Sequence, residues 1–467
     1  MSTDASTSSA AEALAIRRWL LLAVGSLVLA GLLSLALVVG RAPGLSGLIT
    51  DPAFFRRCLV VHVDLSLVVW LYAFTAALLF LLPRAGQSSW ASRAGVGVAT
   101  GGVGLLVLAA AAPGAQPVLA NYVPMIDHWS FAAGLVLFAL GVLLAIVDKR
   151  LWPSEPAPGR LLRISGSAVV GLRATGVLLI IAALTFAASW VHTPPHLPAD
   201  VRFELANWGG GHVLQAASSA AMVSTWLILI EDPERPLLPR ALAAVAFGVL
   251  VLPWLAAPLL AARGVQDVAA REGFTTLMRW AIFPAVTTLG LTLLIRFWRR
   301  GAAKLDVRTV GFASSIGLTT LGFVLGACIR GSTTLVPAHY HAAIGGVTVA
   351  FMAGTIVLLE AVGLCPRPTV RTRRLVLWQP AIFALGQAVF ALGFAWSGAH
   401  GMGRKLYGAE QSTDRLGAML GLGVMSIGGL IAIVGGLLFL TLVMRAYWRA
   451  FAIRPRPLAI ELGGNHV

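Results

Sequence analysis

Apolar runs of about 20 residues recur along the whole chain, divided by short connections rich in Gly, Pro, Arg and Asp. At 1.5 Å of rise per residue, such a run crosses roughly 30 Å of hydrocarbon as a helix. The pattern predicts twelve spans, over residues 18–41, 57–83, 93–113, 127–147, 171–191, 206–230, 241–262, 273–297, 309–329, 338–362, 377–398 and 418–446. No connection between them is long enough to fold alone. The expected organisation is therefore a single all-α polytopic membrane domain over 16–450, preceded by a disordered tail over 1–15 and followed by a cytoplasmic tail over 451–467. The opening residues are small and polar without a cationic start, and the apolar run behind Arg17 and Arg18 is long for a secretory leader, so helix 1 is expected to stay in place.

Composition sharpens the class. Hydrophobic residues make up 58% of the 467 and charged residues only 12%, about half of what a soluble domain carries. Lys and Arg gather at the termini and in the connections after even-numbered spans, in clusters such as "RFWRRGAAKLDVR" and "RPTVRTRR". By the positive-inside rule both termini face the cytoplasm. The net charge of +16 is thus a topology signal, and nucleic acid is not an expected partner. Cys58, Cys328 and Cys365 are scattered without CxxC spacing, which excludes a disulfide framework or cysteine zinc site as a reading of the sequence.

Against this apolar background the histidines stand out. Of nine, four lie in spans at one particular depth: His62 in "RRCLVVHVDLSLVVWLYAF" near the start of predicted helix 2, His212 in "NWGGGHVLQAASS" near the start of helix 6, and His339 and His341 in "PAHYHAAIGG" at the start of helix 10. An imidazole in hydrocarbon is costly without a partner, so a metal, a cofactor, a proton path or another buried polar group is implied. Even-numbered spans enter from the outer face, which puts all four in one layer of the outer leaflet. Residues two apart on a helix point about 200° apart, so His339 and His341 face opposite flanks of helix 10. One helix can then serve two prosthetic groups. Two imidazoles from different helices make a six-coordinate haem suited to electron transfer, and one imidazole leaves an open iron position.

Twelve spans with His on helix 2, His on helix 6 and His-x-His opening helix 10 resemble subunit I of the haem-copper oxidase superfamily, the respiratory oxygen reductases and related nitric oxide reductases. The resemblance covers the whole chain. It implies a low-spin haem iron held by His62 and His341, a high-spin haem iron held by His339, and two haems of b type. "HGMGRKLYGAEQ", between helices 11 and 12, is similar to the family's Gly-Met-Pro-Arg-Arg loop, which implies haem propionates paired with Arg404 and Lys405. It also implies a bacterial inner membrane, a place in a respiratory chain, and a second subunit or cytochrome c-type donor.

The pattern breaks at the second metal. Catalytic members hold copper or non-haem iron with one His on helix 6, matched by His212, and two on helix 7, where "LAAVAFGVLVLPWLAAPLLAARG" offers no donor. The tyrosine or glutamate that the family carries one turn after its helix 6 His is here Ala216. His212 is therefore expected as a residual ligand of a degenerate site, with copper or iron absent unless His192, His196, Asp200 and Glu204 of the preceding loop supply donors. His128 is expected as an interfacial anchor, and His400 beside Arg404 as a propionate contact. Intramembrane acids are few: Asp64 lies on the side of helix 2 away from His62, and Glu360 at the cytoplasmic end of helix 10, so no proton path is traceable. The reading is a membrane oxidoreductase subunit. The alternatives are a non-catalytic haem-binding sensor or assembly protein, and a haem-free transporter.

Overall fold

The computed structural model describes residues 2–39, 52–83, 89–146, 151, 162–301, 305–364, 370–404 and 415–452. The chain runs through α1 (Ser2–Val39), α2 (52–79), α3 (Trp90–Ala111), a hairpin of β1 (Gln116–Val118) and β2 (Met125–Asp127), α4 (Trp129–Leu144), α5 (Gly166–His192) and α6 (Ala199–Ile230). There follow α7 (Arg240–Ala262), α8 (Val268–Arg299), α9 (Val307–Ala327), α10 (Leu335–Ala361), α11 (Val370–Ala399) and α12 (Leu416–Ala452). Among the described residues, eleven of these helices are long and apolar enough to cross a membrane, and α4 is apolar but only 16 residues long. The protein is an all-α polytopic membrane bundle.

Three helices are interrupted where the sequence prepares it. Pro253 and Pro258 cannot donate to an α-helical ladder, and α7 tightens to a 3₁₀ turn over Leu252–Ala256. π-turns occupy Leu65–Val69 in α2, just past His62, and Met278–Ile282 in α8, just before Pro284.

Two helices lie at the centre. Over their apolar windows α6 and α10 are each 83% buried, against 28% for α7, α11 and α12, which places the last three on the lipid side. Helix α10 touches α1, α2, α6, α9, α11 and α12. Phe74 of α2 packs on Phe351 of α10 with ring centroids 4.4 Å apart, so these two segments are direct neighbours. The lipid-facing pairs are joined by small residues, as packing without a hydrophobic drive requires. Gly95 and Gly102 of α3 meet the backbone of Gly141 and Gly134 of α4; a Cβ on Gly102 would lie 2.6 Å from the Gly134 carbonyl. Gly386, Gly393, Gly421 and Gly428 do the same between α11 and α12.

The expected spans differ from the helices at their ends. Helix α1 begins at Ser2 and runs through most of the segment expected as a disordered tail, because "ASTSSAAEALA" is rich in Ala and extends the apolar helix. Helix α6 begins at Ala199 behind Pro198, ahead of its apolar portion, so His212 lies deep in its helix; His62 is similarly deep in α2. Residues 127–147, expected as one span, divide into the end of β2 and α4. The β-hairpin is short and was hidden among turn residues. Most of the segment expected as a C-terminal tail, from residue 453, lies outside the described residues, as does Cys365.

Candidate functional site

The sequence "WGGGH" explains the arrangement around His212. Each glycine clears room for one aromatic ring: a Cβ on Gly209 would meet Phe274 at 2.7 Å, one on Gly210 would collide with Phe186, and one on Gly211 with Tyr122. The His212 ring is only 1% exposed and lies among Tyr122, Trp208 and Phe274, at centroid distances of 4.6, 4.9 and 6.0 Å. Its Nδ1 bonds to the Trp208 carbonyl at 2.7 Å. A carbonyl only accepts, so the proton is on Nδ1, and Nε2 accepts from the Tyr122 hydroxyl at 2.9 Å. Both ring nitrogens of His212 are spoken for.

Tyr122 reaches this position by a turn that few residues adopt. Its φ is 67°, and Val123 N–H donates to the Asn121 carbonyl across it at 2.9 Å, a γ-turn of the more strained hand. Three latches hold the segment around Tyr122 over the N-terminal end of α6. Glu204 accepts from the Asn121 amide N–H at 2.7 Å and from its side-chain amide. Arg404 Nη2 donates to Asn121 Oδ1 at 2.6 Å, and Asn207 Nδ2 donates to the Val123 carbonyl at 3.1 Å. Arg202 and Asp127 add an ion pair at 3.2 Å. Burial raises the Tyr122 phenol above its ordinary pKa, Glu204 raises it further, and Arg404 offsets part of that.

The other three intramembrane histidines are held differently. Nδ1 of His62 bonds to the Ala30 carbonyl of α1 at 2.8 Å, and Nδ1 of His339 to the Gly322 carbonyl of α9 at 2.6 Å. Again the carbonyl fixes the tautomer, with the proton on Nδ1 and the Nε2 lone pair without a hydrogen bond among the described residues. Gly326 has no Cβ because one would lie 2.7 Å from the His339 ring. His341 turns to the opposite flank, onto Phe390 and Phe394 of α11 at 4.6 and 6.2 Å. His339 against α9 and His341 against α11 is the divergence that a spacing of two demands.

Depth can be read from the α2–α10 contact. His62 stands about 18 Å from Phe74 along α2 and His341 about 15 Å from Phe351 along α10, at 1.5 Å per residue. The two helices are both even-numbered spans and run the same way, so the two imidazoles are nearly level.

The remaining residues singled out in the sequence have the following surroundings. His128 is the N-cap of α4, its Nδ1 accepting from the Ser130 amide at 3.3 Å. His400 bonds to the Trp396 carbonyl at 2.8 Å and stacks on that indole, while Arg404 is turned to Asn121. His192 bonds its own helix at Ala188, and Glu204 is engaged by Asn121, so His192, His196, Asp200 and Glu204 do not converge; no group of three or more metal-binding side chains occurs among the described residues. Lys405 lies outside the described residues. Asp64 is wholly buried and neither of its oxygens has a hydrogen-bond partner among the described residues. Sequence reasoning missed Tyr122 and Asn121, and named Glu204 only as a candidate metal donor, not as the partner of Asn121. The signal available was the run of three glycines before His212, which announces three large neighbours without naming them.

No protein-family model matches the chain. It is 26% identical to an uncharacterised protein of Rickettsia prowazekii over 495 aligned residues, covering 90% of this chain and 93% of that one. It is 28% identical to an uncharacterised protein of Aquifex aeolicus over 348, covering 74% and 84%. Among solved structures it is similar to a chain of a haem-copper terminal oxidase dimer, with a TM-score of 0.66 and 18% identity over 96% of this chain and 85% of that one.

Proposed function

We propose that this protein, whose fold is that of a haem-copper terminal oxidase chain, is a haem-bearing subunit of a membrane oxidoreductase. In this reading His62 and His341 hold a low-spin haem, His339 holds a high-spin haem, and both haems are of b type. The observation that carries it is the paired anchoring of His62 and His339 by carbonyls of adjacent helices. Ligating imidazoles typically donate their second ring N–H to such a partner, which fixes the tautomer and aims the other nitrogen. The near-equal depth of His62 and His341 supports the pair.

When bound, haem supplies one-electron redox chemistry and, at a single-histidine site, an open position for a small gas. The chain's own contribution is orientation and exclusion of water. Ala30 and Gly322 hold two imidazoles in one tautomer, and Phe390 and Phe394 close the apolar flank of His341. Arg404 is held at the outer surface by Asn121 and by its own amide on the Ser332 carbonyl, with guanidinium N–H groups left to pair with a propionate; Lys405 extends the same cationic loop. The outer surface is where a second subunit or a cytochrome c-type donor would deliver electrons. Both termini are cytoplasmic and the membrane is a bacterial inner membrane in this reading, which rests on the positive-inside bias.

A second metal does not fit. His212 has both nitrogens in hydrogen bonds, and α7 supplies no histidine, cysteine or carboxylate. That saturation favours a second reading, a haem-binding protein that does not turn over, such as a sensor or assembly factor.

A pyridine haemochrome assay with total metal analysis on the purified protein tests the proposal. Haem at two per chain without copper is the expected result. His62→Ala and His341→Ala should each abolish the low-spin spectrum, and His339→Ala should leave it and remove the high-spin signal. Haem-free protein would return the transporter reading. A low-spin spectrum that survived His62→Ala would refute the ligand assignment.

A further inference from the structure

At the ends of α9, α10, α11 and α12 opposite the histidine layer there is a cavity of about 690 Å³. Its mouth carries Arg373 and Arg374 of α11 and Arg445 and Arg449 of α12. Its wall is apolar, including Ile356 and Leu359 of α10 and Leu442 of α12. Leu442 lies about one turn deeper along α12 than Arg445, and Leu377 one turn deeper along α11 than Arg373, so apolar side chains line the cavity on the membrane side of the arginines.

The rim carries four exposed cations. Arg373 stands in the first turn of α11, where the macrodipole and free backbone N–H groups are already positive, Arg374 follows it, and Arg445 and Arg449 are a like-charged i, i+4 pair on α12. None of the four has a hydrogen bond or ion pair among the described residues. Two carboxylates lie in the same cavity, but each is committed elsewhere. Asp306 caps α9 through the amides of Arg308 and Thr309, and Glu360 is opposite Arg308. Four exposed cations line one cavity, a cluster whose positive potential an anionic group seated among them would neutralise. An inorganic anion would satisfy the rim and leave the apolar wall without purpose. An amphiphile satisfies both.

We propose that the cavity between the ends of α10, α11 and α12 is a binding site for an acidic diacyl phospholipid, its phosphate held by Arg373, Arg374, Arg445 and Arg449 and its first acyl segment against Ile356, Leu359 and Leu442. Basic pockets between helices on the inner leaflet have the chemistry for this. The site is independent of the haem reading, since it needs neither histidine nor iron.

The test is native mass spectrometry and tryptophan-quench titration of the full chain in neutral detergent. The probes are phosphatidylglycerol, phosphatidylcholine and glycerol phosphate. Saturable binding of phosphatidylglycerol at least tenfold tighter than of phosphatidylcholine is expected. Arg445→Gln with Arg449→Gln should weaken it at least tenfold, and Arg373→Gln with Arg374→Gln likewise, with thermal melting reporting that each variant is folded. The control pair Arg235→Gln with Arg299→Gln lies outside the cavity and should leave binding unchanged. Equal binding by wild type and both cavity pairs would overturn the site. Glycerol phosphate competing as well as the lipid would overturn the lipid and leave a soluble phosphate ester as the ligand.

Discussion

The Tyr122 hydroxyl bonded to His212 is where a single side chain decides most. Tyr122→Phe removes the donor and leaves a buried imidazole nitrogen unpaired, a loss of about 1–3 kcal/mol that detergent melting curves should register. Gly211→Ala should destabilise by a similar amount, roughly 1–3 kcal/mol, because the new methyl collides with Tyr122 and the latched segment has nowhere to go. The phenol also predicts a pH response. Its pKa in the fold is raised above the unfolded value of about 10, so the neutral form's contribution is complete below pH 10 and is lost as pH rises from there through the folded pKa. Melting temperature measured against pH should fall more steeply above 10 in the wild type than in Tyr122→Phe; parallel curves would contradict the assignment of that slope to this residue. None of this was legible in the sequence. Glycines at 209–211 are visible, but the residues that fill the space come from α5, α8 and the hairpin, far away along the chain.

Among elements, the closeness of helix pairs is set by glycine. Gly141→Leu should drive α3 and α4 apart, since even a single Cβ there would meet the Ala99 amide at 2.6 Å. Loss of folded, monodisperse protein on size exclusion is expected, whereas Gly97→Leu, on the open face of α3, should be neutral. Buried Arg57 works across elements in another way, donating Nε to the Ala110 carbonyl at 2.9 Å and Nη1 to the Ala115 carbonyl at 3.2 Å, so it closes the end of α3. In the sequence it is only the first residue of the predicted span 57–83, with nothing to indicate its partners. Apolar length located the spans well because it is a local property. The polar starts of α6 and α8 were missed, since a helix continues past the hydrocarbon wherever caps and neighbours support it.

For the molecule as a whole, orientation is the prediction that ties the charge bias to the bundle. In a background without the native cysteines, Gln116→Cys should react with an impermeant maleimide applied to intact cells, and Glu234→Cys should react only after the membrane is opened. Both side chains are exposed and lie at opposite ends of the bundle. The reverse pattern would invert the topology, the leaflet of the phospholipid site and the side from which electrons arrive.

What the sequence determined by itself follows from quantities summed over neighbouring residues: the membrane class, the succession of helices, and the opposite facing of His339 and His341. Hydrophobic length and the 100° turn per residue require no knowledge of the rest of the chain. What the tertiary structure alone decided is who partners whom. The carbonyls of Ala30 and Gly322 hold His62 and His339, Tyr122 closes His212, and four arginines from two helices share one cavity. A hydrogen bond forms or fails over a few tenths of an ångström, and only the packing of distant segments sets distances that fine.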